Sequence, residues 1–574
     1  MKASDLIAGR LADQGVTRVY EVVGGMITHL IDSIHRQGRI ELVSVRHEQA
    51  AAFAADGAGR LTGVPGVAMA TSGPGATNLL TGIGSCYFDS SPAVFITGQV
   101  NRHERKGERP IRQLGFQETD IVTMAAPITK AAIRVETPEE VVVVLDHAFE
   151  LARAGRPGPV LLDIPMDVQG ADVEEPDALE LPERPQTPGG LERAVAGVLD
   201  DLAAAERPLI LVGAGVRCAG AVQRLRDVVT ALQIPVVNSL LAVDVIPAAD
   251  PMRAGLIGSY GNRWANIALS ECDMLLVLGS RLDIRQTGAD VDAFERGRVI
   301  HHVDVDPGEL NNRLSDSRTI AADVADFLAV LEGPALARGA LDTTAWCERI
   351  SELRGRWPDT AELADIAGIN PNELMHLLSR ASGPAGGYVV DVGQHQQWAA
   401  QSLELGPGQR FLTSGGMGAM GFALPAALGA VGAVPGAPWV VIAGDGAFQL
   451  NLQELQTVVH HEMPLKIVIL DNGVHGMVRQ FQETYFGARY QSTWWGYSAP
   501  DFTRVADAFG IASAAAKDIG ELADGLARLW ADPHSPFLLR VVIDPLANAY
   551  PKLAFGRPIT EMEPFAVPVA MEGT

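Results

Sequence analysis

The chain has 574 residues, too many for one hydrophobic core, and its length suggests three or four domains of ordinary size. Hydrophobic residues make up 47% and charged residues 20%, the balance of a folded globular protein. With 45 basic against 69 acidic residues the formal charge is −24, which argues against nucleic acid or an anionic membrane as partner, because either needs a basic footprint.

The chain opens with MKASDLIAGRLADQGV, where Ser4 is placed as the N-cap of an amphipathic helix and there is no apolar signal core. Over residues 1–170 the apolar runs TRVYEVV, GVAMATS, AVFITGQ and PVLLDIP alternate with helix-like segments, the pattern of a parallel, doubly wound sheet. A proline- and glutamate-rich stretch from Val173 to Pro188 reads as an exposed linker. A second α/β pattern spans 190–335 (PLILVGAG, IPVVNSL, MLLVLGS, VIHHVDVD), and a third spans 365–545 (GYVVDVG, VVIA, LKIVIL, FLLRVVID). The predicted fold is α/β, three doubly wound domains with parallel sheets. Residues 546–574 carry Tyr550, Phe555, Phe565 and four prolines without clear periodicity, and read as an ordered tail or lid. Cys86, Cys218, Cys272 and Cys347 lack CxxC or zinc spacing, as expected of reduced thiols in a cytoplasmic protein. No apolar run reaches the roughly 18 residues of a membrane span.

Several turns fall where predicted strands end, the edge of an α/β sheet at which ligands bind. In the third unit VVIA breaks at Gly444-Asp445-Gly446, and LKIVIL delivers Asp471-Asn472. Asp445 and the amide oxygen of Asn472 are hard ligands suited to Mg²⁺, which keeps part of its shell for water and phosphate oxygens. Taken singly, such residues are more often Asx turns or helix caps. In the first unit Arg46-His47-Glu48-Gln49 leads into a small-residue helix, AAAFAADGAGRLTG. A carboxylate there either shares a proton with a cofactor nitrogen or caps the helix dipole. Thr71 to Asn78, TSGPGATN, is a glycine-rich turn without the lysine of a Walker motif.

RHEQAAAFAADGAGRLTG, ATSGPGATNLLTGI, FQETDIV, GRPGPVLLDIP, DVGQHQQWAAQ, TSGGMGAMGFALPAALGA and the GDG…DN stretch occur in this order over nearly the whole chain. Together they resemble the thiamine diphosphate enzymes, and closely the acetohydroxyacid synthase (acetolactate synthase) branch. The resemblance implies a carboligase that uses thiamine diphosphate and Mg²⁺ to decarboxylate pyruvate and pass its two-carbon unit to an acceptor carbonyl. It puts Asp445, Asn472 and the carbonyl of Val474 on Mg²⁺, Gln394 and His395 on the diphosphate, and Gly418 and Met420 on the aminopyrimidine. Gly444, Gly446, Ala447, Gly476 and Met477 complete the cofactor's surroundings. Glu48 would hydrogen-bond the pyrimidine nitrogen and activate the cofactor, with Gly24, Phe116 and Gln117 lining the reacting carbonyl. In such enzymes Glu48 and the metal motif serve one cofactor from different subunits, which implies a homodimer or homotetramer.

The second unit resembles the flavin domain of the branch and implies bound FAD without a redox role. Its glycine turn at Gly213 and Gly215 would face a pyrophosphate, Arg281 or Arg285 its charge, and Asp306 and Asp323 the adenosine. Related domains hold an adenine nucleotide or nothing, so that turn also has a purely structural reading. Departures from the branch concern the acceptor. Met166 stands where a lysine is usual after VDIP, and Phe481 where a tryptophan associated with larger 2-keto acids is usual. The segment Asn101 to Leu114 is lengthened and carries Arg102, Arg105, Lys106, Arg109 and Arg112. The acceptor thus stays open between a keto acid, a small ketone and a nucleotide-linked keto sugar. The last rests on a similarity of VVGGMITHLIDSIHRQG and KGERPIRQLGFQETD to flavin-containing branched-sugar two-carbon transferases. Simple 2-keto acid decarboxylation or oxidation is the further alternative.

Overall fold

The computed structural model describes residues 1–174 and 189–570, so the expected linker lies almost wholly outside the described residues. The chain forms three six-stranded parallel sheets. The first contains β1 (Arg18–Val22), β2 (Glu41–Ser44), β3 (Gly66–Ala70), β4 (Ala93–Gln99), β5 (Ala131–Arg134) and β6 (Pro159–Pro165), in the order β2-β1-β3-β4-β6-β5. The second contains β7 (Pro208–Val212), β8 (Val236–Asn238), β9 (Arg253–Leu256), β10 (Met274–Leu278), β11 (Val299–Asp304) and β12 (Arg318–Ala321), ordered β12-β11-β10-β7-β8-β9. The third contains β13 (Gly387–Val390), β14 (Arg410–Thr413), β15 (Trp439–Gly444), β16 (Leu465–Asp471), β17 (Ala512–Ala516) and β18 (Phe537–Val542), ordered β14-β13-β15-β16-β18-β17. Every residue of β4, β6 and β16 is buried, as helices on both faces of a parallel sheet require.

The outer two sheets share one strand order, and the central sheet has the 3-2-1-4-5-6 order of dinucleotide-binding folds. Each has a switch point from which the chain winds outward in both directions: between β1 and β3, between β7 and β10, and between β13 and β15. Chain leaving the C-terminal ends of such a pair diverges to opposite sides and opens a crevice. These three crevices receive the turns that the sequence marks.

The first and third units share one hydrophobic core. The small-residue helix Glu48–Thr62 crosses the helix Ala423–Ala433 so closely that a Cβ on Gly57 would lie 2.3 Å from the Ala426 carbonyl oxygen, and one on Gly429 2.0 Å from that of Ala54. Backbone cannot yield as a side-chain end can. Gly429→Ala is therefore expected to destabilise the protein by about 1–3 kcal/mol, read as a lower denaturation midpoint at unchanged slope. Arg60 closes the same contact, pairing with Asp56 and Asp89 and donating to the Thr413 carbonyl at 2.8 Å.

Two terminal details refine the expectations. The first helix starts at Ala3, whose N–H donates to the Ala171 carbonyl, so Ser4 lies buried within the first turn, accepting from Ser33 Oγ, instead of capping it. The tail is docked on the central unit: Lys552–Leu553 and Met562–Glu563 pair antiparallel, the Leu553 N–H donates to the Ser259 carbonyl, and Arg263 donates to the carbonyls of Met562 and Glu563. Among the described residues no helix is long and apolar enough to cross a membrane.

Candidate active site

At the switch point of the third sheet, β13 leads into the helix Gln394–Ser402, β15 into the short helix Asp445–Phe448, and β16 through Asn472 into the helix Gly476–Tyr485. A cleft of about 380 Å³ lies among these ends. The residues expected to hold the cofactor in this unit all line it, from Gln394 and His395 through Gly418, Met420, Gly444, Asp445, Gly446 and Ala447 to Asn472, Val474, Gly476 and Met477, whereas Asp471 and Phe481 do not.

Burial pushes the Asp445 carboxyl up to about 7, with the nearby Asp471 adding repulsion, and the Tyr497 hydroxyl donates to its Oδ2 at 2.9 Å. Such a carboxyl gains most from a cation close by. Burial lowers His395 to about 3, so its ring is neutral and Nε2 accepts from the Gly444 N–H at 3.3 Å. Asn472 Oδ1 accepts from the Val474 N–H at 3.2 Å, an Asx turn that leaves the oxygen a second lone pair. Asp471, by contrast, is held by Arg540 at 2.6 Å.

The residues fit a diphosphate joined to a divalent cation. The N-termini of two helices, Gln394–Ser402 and Gly476–Tyr485, open on the cleft and favour an anion. Asp445 and the Asn472 oxygen supply hard donors for the cation. Gln394 gives an amide proton to Gln480 Oε1 at 3.0 Å, while its own Oε1 is buried without a protein partner, an acceptor suited to a cation-bound water. Gly476 keeps this space open, since a Cβ there would lie 1.9 Å from that oxygen.

At the switch point of the first sheet, the turn Thr71 to Asn78 gathers three of the four catalytic candidates. Gly24 follows β1, and a Cβ on it would lie 2.4 Å from Thr71 Cβ. Glu48 is 9% exposed, its Oε2 accepting from Asn78 Nδ2 at 2.8 Å and its Oε1 lying 3.2 Å from where a Cβ on Gly75 would be. Gln117 has a φ of 66°, an uncommon left-handed conformation for a non-glycine residue, and packs on Gly73. Phe116 is 78% exposed. None of these four lines the 380 Å³ cleft of the same chain.

A larger cleft, about 670 Å³, occupies the switch point of the central sheet and is lined by Gly215, Arg281, Arg285 and Asp323, but not by Gly213 or Asp306. Both amides of the glycine turn are taken up within the protein. The Gly213 N–H donates to the Leu278 carbonyl and that of Gly215 to the Gly279 carbonyl, and a Cβ on Gly213 would lie 2.1 Å from the Gly279 oxygen. Asp306 caps the Gly308 N–H and pairs with Arg156 at 3.2 Å. The lining residues to which no sequence motif gave a role include Arg156, which reaches in from the first unit, and Asp304, whose carboxyl burial raises to about 6. Arg285, Gln397, Gly415 and Gly416 line both clefts, which therefore share a wall.

Of the five basic residues in the lengthened segment, Arg102 pairs with Asp167 at 2.7 Å and Arg105 with Glu136 at 2.9 Å. Arg109 donates to the carbonyls of Arg105 and Lys106. Met166 begins the short helix Met166–Gly170, and Phe481 packs on Tyr485 with ring centres 4.8 Å apart.

Three parallel α/β units, with a cleft at one switch point whose residues fit a diphosphate and a cation and a buried carboxylate at another, are the arrangement of a cofactor-dependent enzyme. The chain matches three successive families: thiamine pyrophosphate enzyme, N-terminal TPP binding domain over residues 1–124, central domain over 195–331, and C-terminal TPP binding domain over 391–541. It is 36% identical to the probable acetolactate synthase large subunit of Methanocaldococcus jannaschii, over 98% of this chain and 95% of that one. It is 38% identical to the acetolactate synthase isozyme 2 large subunit of Escherichia coli, over 98% and 99%. The large subunit from Parasynechococcus marenigrum is also 38% identical, over 96% and 89%. The chain belongs to the thiamine diphosphate enzymes, as an acetolactate synthase-like member.

Proposed function

We propose that the protein decarboxylates pyruvate, or a close 2-keto acid, and joins the two-carbon unit to the carbonyl of a second 2-keto acid. The observation that carries this reading is the convergence of Gln394, His395, Asp445 and Asn472 on one switch-point cleft, in a chain similar to acetolactate synthases over nearly its full length. Residues 1–170 are read as the pyrimidine-binding unit, 190–335 as the central nucleotide unit, 365–545 as the diphosphate-binding unit and 546–574 as the tail.

Thiamine diphosphate, when bound, would supply the electron sink for the electron pair that loss of CO₂ leaves on the carbonyl carbon of the donor. The protein's part is to hold and orient. Asp445, Asn472 and the Val474 carbonyl take the Mg²⁺, and the helix N-termini at Gln394 and Gly476 take the diphosphate. Gly418 and Met420 support the pyrimidine. Glu48, fixed by Asn78, offers its carboxyl to a ring nitrogen as the proton-exchanging group. Gly24, Phe116 and Gln117 line the reacting carbonyl. Since Glu48 and Asp445 lie in different crevices of one chain, the complete site forms between two copies, in a homodimer or a tetramer built from it.

FAD is the proposed occupant of the central cleft, in a structural role. The cleft's volume of about 670 Å³ and a lining that includes the cations Arg156, Arg281 and Arg285 as well as the carboxylates Asp304 and Asp323 support a dinucleotide with a pyrophosphate and free ribose hydroxyls. Labelled pyruvate offered alone and with a panel of keto acids, ketones and nucleotide-linked keto sugars is expected to give acetolactate or its homologue by mass. The visible spectrum of the same preparation should carry flavin absorption. Acetaldehyde or peroxide as the sole product would replace this reading with the decarboxylase or oxidase alternative, and a ligated product formed only with keto sugars would move the acceptor to that class.

A further inference from the structure

The sequence marks Asp445 but not what stands behind it. The segment after the helix Gly476–Tyr485 doubles back over that helix: Gln482 Nε2 donates to the Gln491 carbonyl at 3.0 Å and the His475 N–H to the Thr493 carbonyl at 2.9 Å. This return brings Tyr497 to the Asp445 turn. Its hydroxyl donates to Asp445 Oδ2 at 2.9 Å and accepts from Gln449 Nε2 at 3.2 Å. The same Gln449 nitrogen donates to the Asp445 backbone carbonyl at 3.2 Å, and a carbonyl only accepts, so the amide orientation is fixed. With Gln449 occupying the acceptor side of the phenol oxygen, the phenol proton is left to point at the carboxylate. The Tyr497 ring is held in turn by the His475 imidazole, edge-on at 4.4 Å and 62°. Gly446 gives both rings room, since a Cβ there would lie 2.6 Å from His475 and 3.3 Å from the Tyr497 hydroxyl.

We infer that Tyr497, oriented by Gln449, is a positioning residue for the cation site: it fixes one oxygen of Asp445 so that the other is presented to the divalent cation. The inference rests on the cation reading of Asp445. Hydrogen-bond partners of metal ligands set ligand orientation, and their loss typically weakens metal binding about 10- to 100-fold.

The test uses the full-length protein, with thiamine diphosphate binding followed calorimetrically over a series of Mg²⁺ concentrations. Tyr497→Phe keeps the ring on His475 and removes only the hydroxyl. It is expected to raise the half-saturating Mg²⁺ about 10-fold or more, to restore cofactor binding at saturating Mg²⁺, and to leave the melting midpoint of the metal-free protein unchanged. Gln449→Leu, which frees the phenol to turn, should shift the Mg²⁺ requirement in the same direction by less. An unchanged Mg²⁺ requirement in Tyr497→Phe overturns the assignment. So does a loss of cofactor affinity that saturating Mg²⁺ fails to restore, or a fall in the metal-free melting midpoint that accounts for the change. Wild-type protein that binds the cofactor without any divalent cation would instead overturn the cation reading itself.

Discussion

Glu48→Gln is expected to lower turnover by about 10²-fold or more while leaving the affinity for thiamine diphosphate and Mg²⁺ nearly unchanged, as loss of a proton-transfer group does. The substitution preserves shape. Asn78 Nδ2, which donates to Glu48 Oε2 at 2.8 Å, can donate equally to the glutamine oxygen, so the side chain stays in place and Gly75 still accommodates it. What is lost is the acid–base pair. The charged end of the cofactor is held elsewhere, in a cleft that Glu48 does not line, so binding and turnover should separate cleanly. Asn78→Ala offers an internal check, because it leaves the carboxyl and removes its anchor, and its effect should be smaller. Near-normal turnover in Glu48→Gln, with binding intact, would remove Glu48 from the reaction.

How much of this could be read from the sequence follows a physical division. The runs TRVYEVV, GVAMATS, AVFITGQ and PVLLDIP, with the four runs of each later unit, are the interior strands of the three sheets. Each of the strands that escaped, β2, β5, β9, β12, β14 and β17, lies at a sheet edge. An edge strand in a parallel sheet is short and incompletely covered, so it lacks the continuous apolar run that marks its neighbours. ELVS in β2 buries one residue of four and RTIA in β12 likewise, while ASAAA in β17 has helix-forming composition and takes its strand conformation from pairing with β18. The site divides similarly. Asp445 and Asn472 were legible because strand ends place them in sequence order along one crevice, whereas Gln394 was reached only through the family resemblance. Asn78 behind Glu48, Arg156 in the central cleft and Tyr497 behind Asp445 act through space, and no local pattern announces them.

Mixing two inactive variants, Glu48→Gln and Asp445→Ala, is expected to restore activity that neither has alone. Asp445→Ala removes a hard donor from the cation site and should abolish Mg²⁺-dependent cofactor binding, whereas Glu48→Gln leaves that cleft intact. If each complete site takes the carboxyl of Glu48 from one copy and that of Asp445 from the other, a mixed dimer contains one site with both groups and one with neither. Random pairing at equal amounts makes about half the dimers mixed, so about a quarter of wild-type activity should return. If both groups served the same site from one chain, every site in a mixed dimer would lack one of them, and activity would stay at the level of the separate variants. The close crossing of the helices Glu48–Thr62 and Ala423–Ala433 fixes the first and third units of a chain relative to each other, so a hinge within one chain cannot readily imitate the result. Co-expression with separate affinity tags, followed by purification of doubly tagged protein, raises the expected recovery to about half, because every dimer is then mixed. Recovery that fails under both protocols, with mixed dimers present by mass, would move the whole site into a single chain.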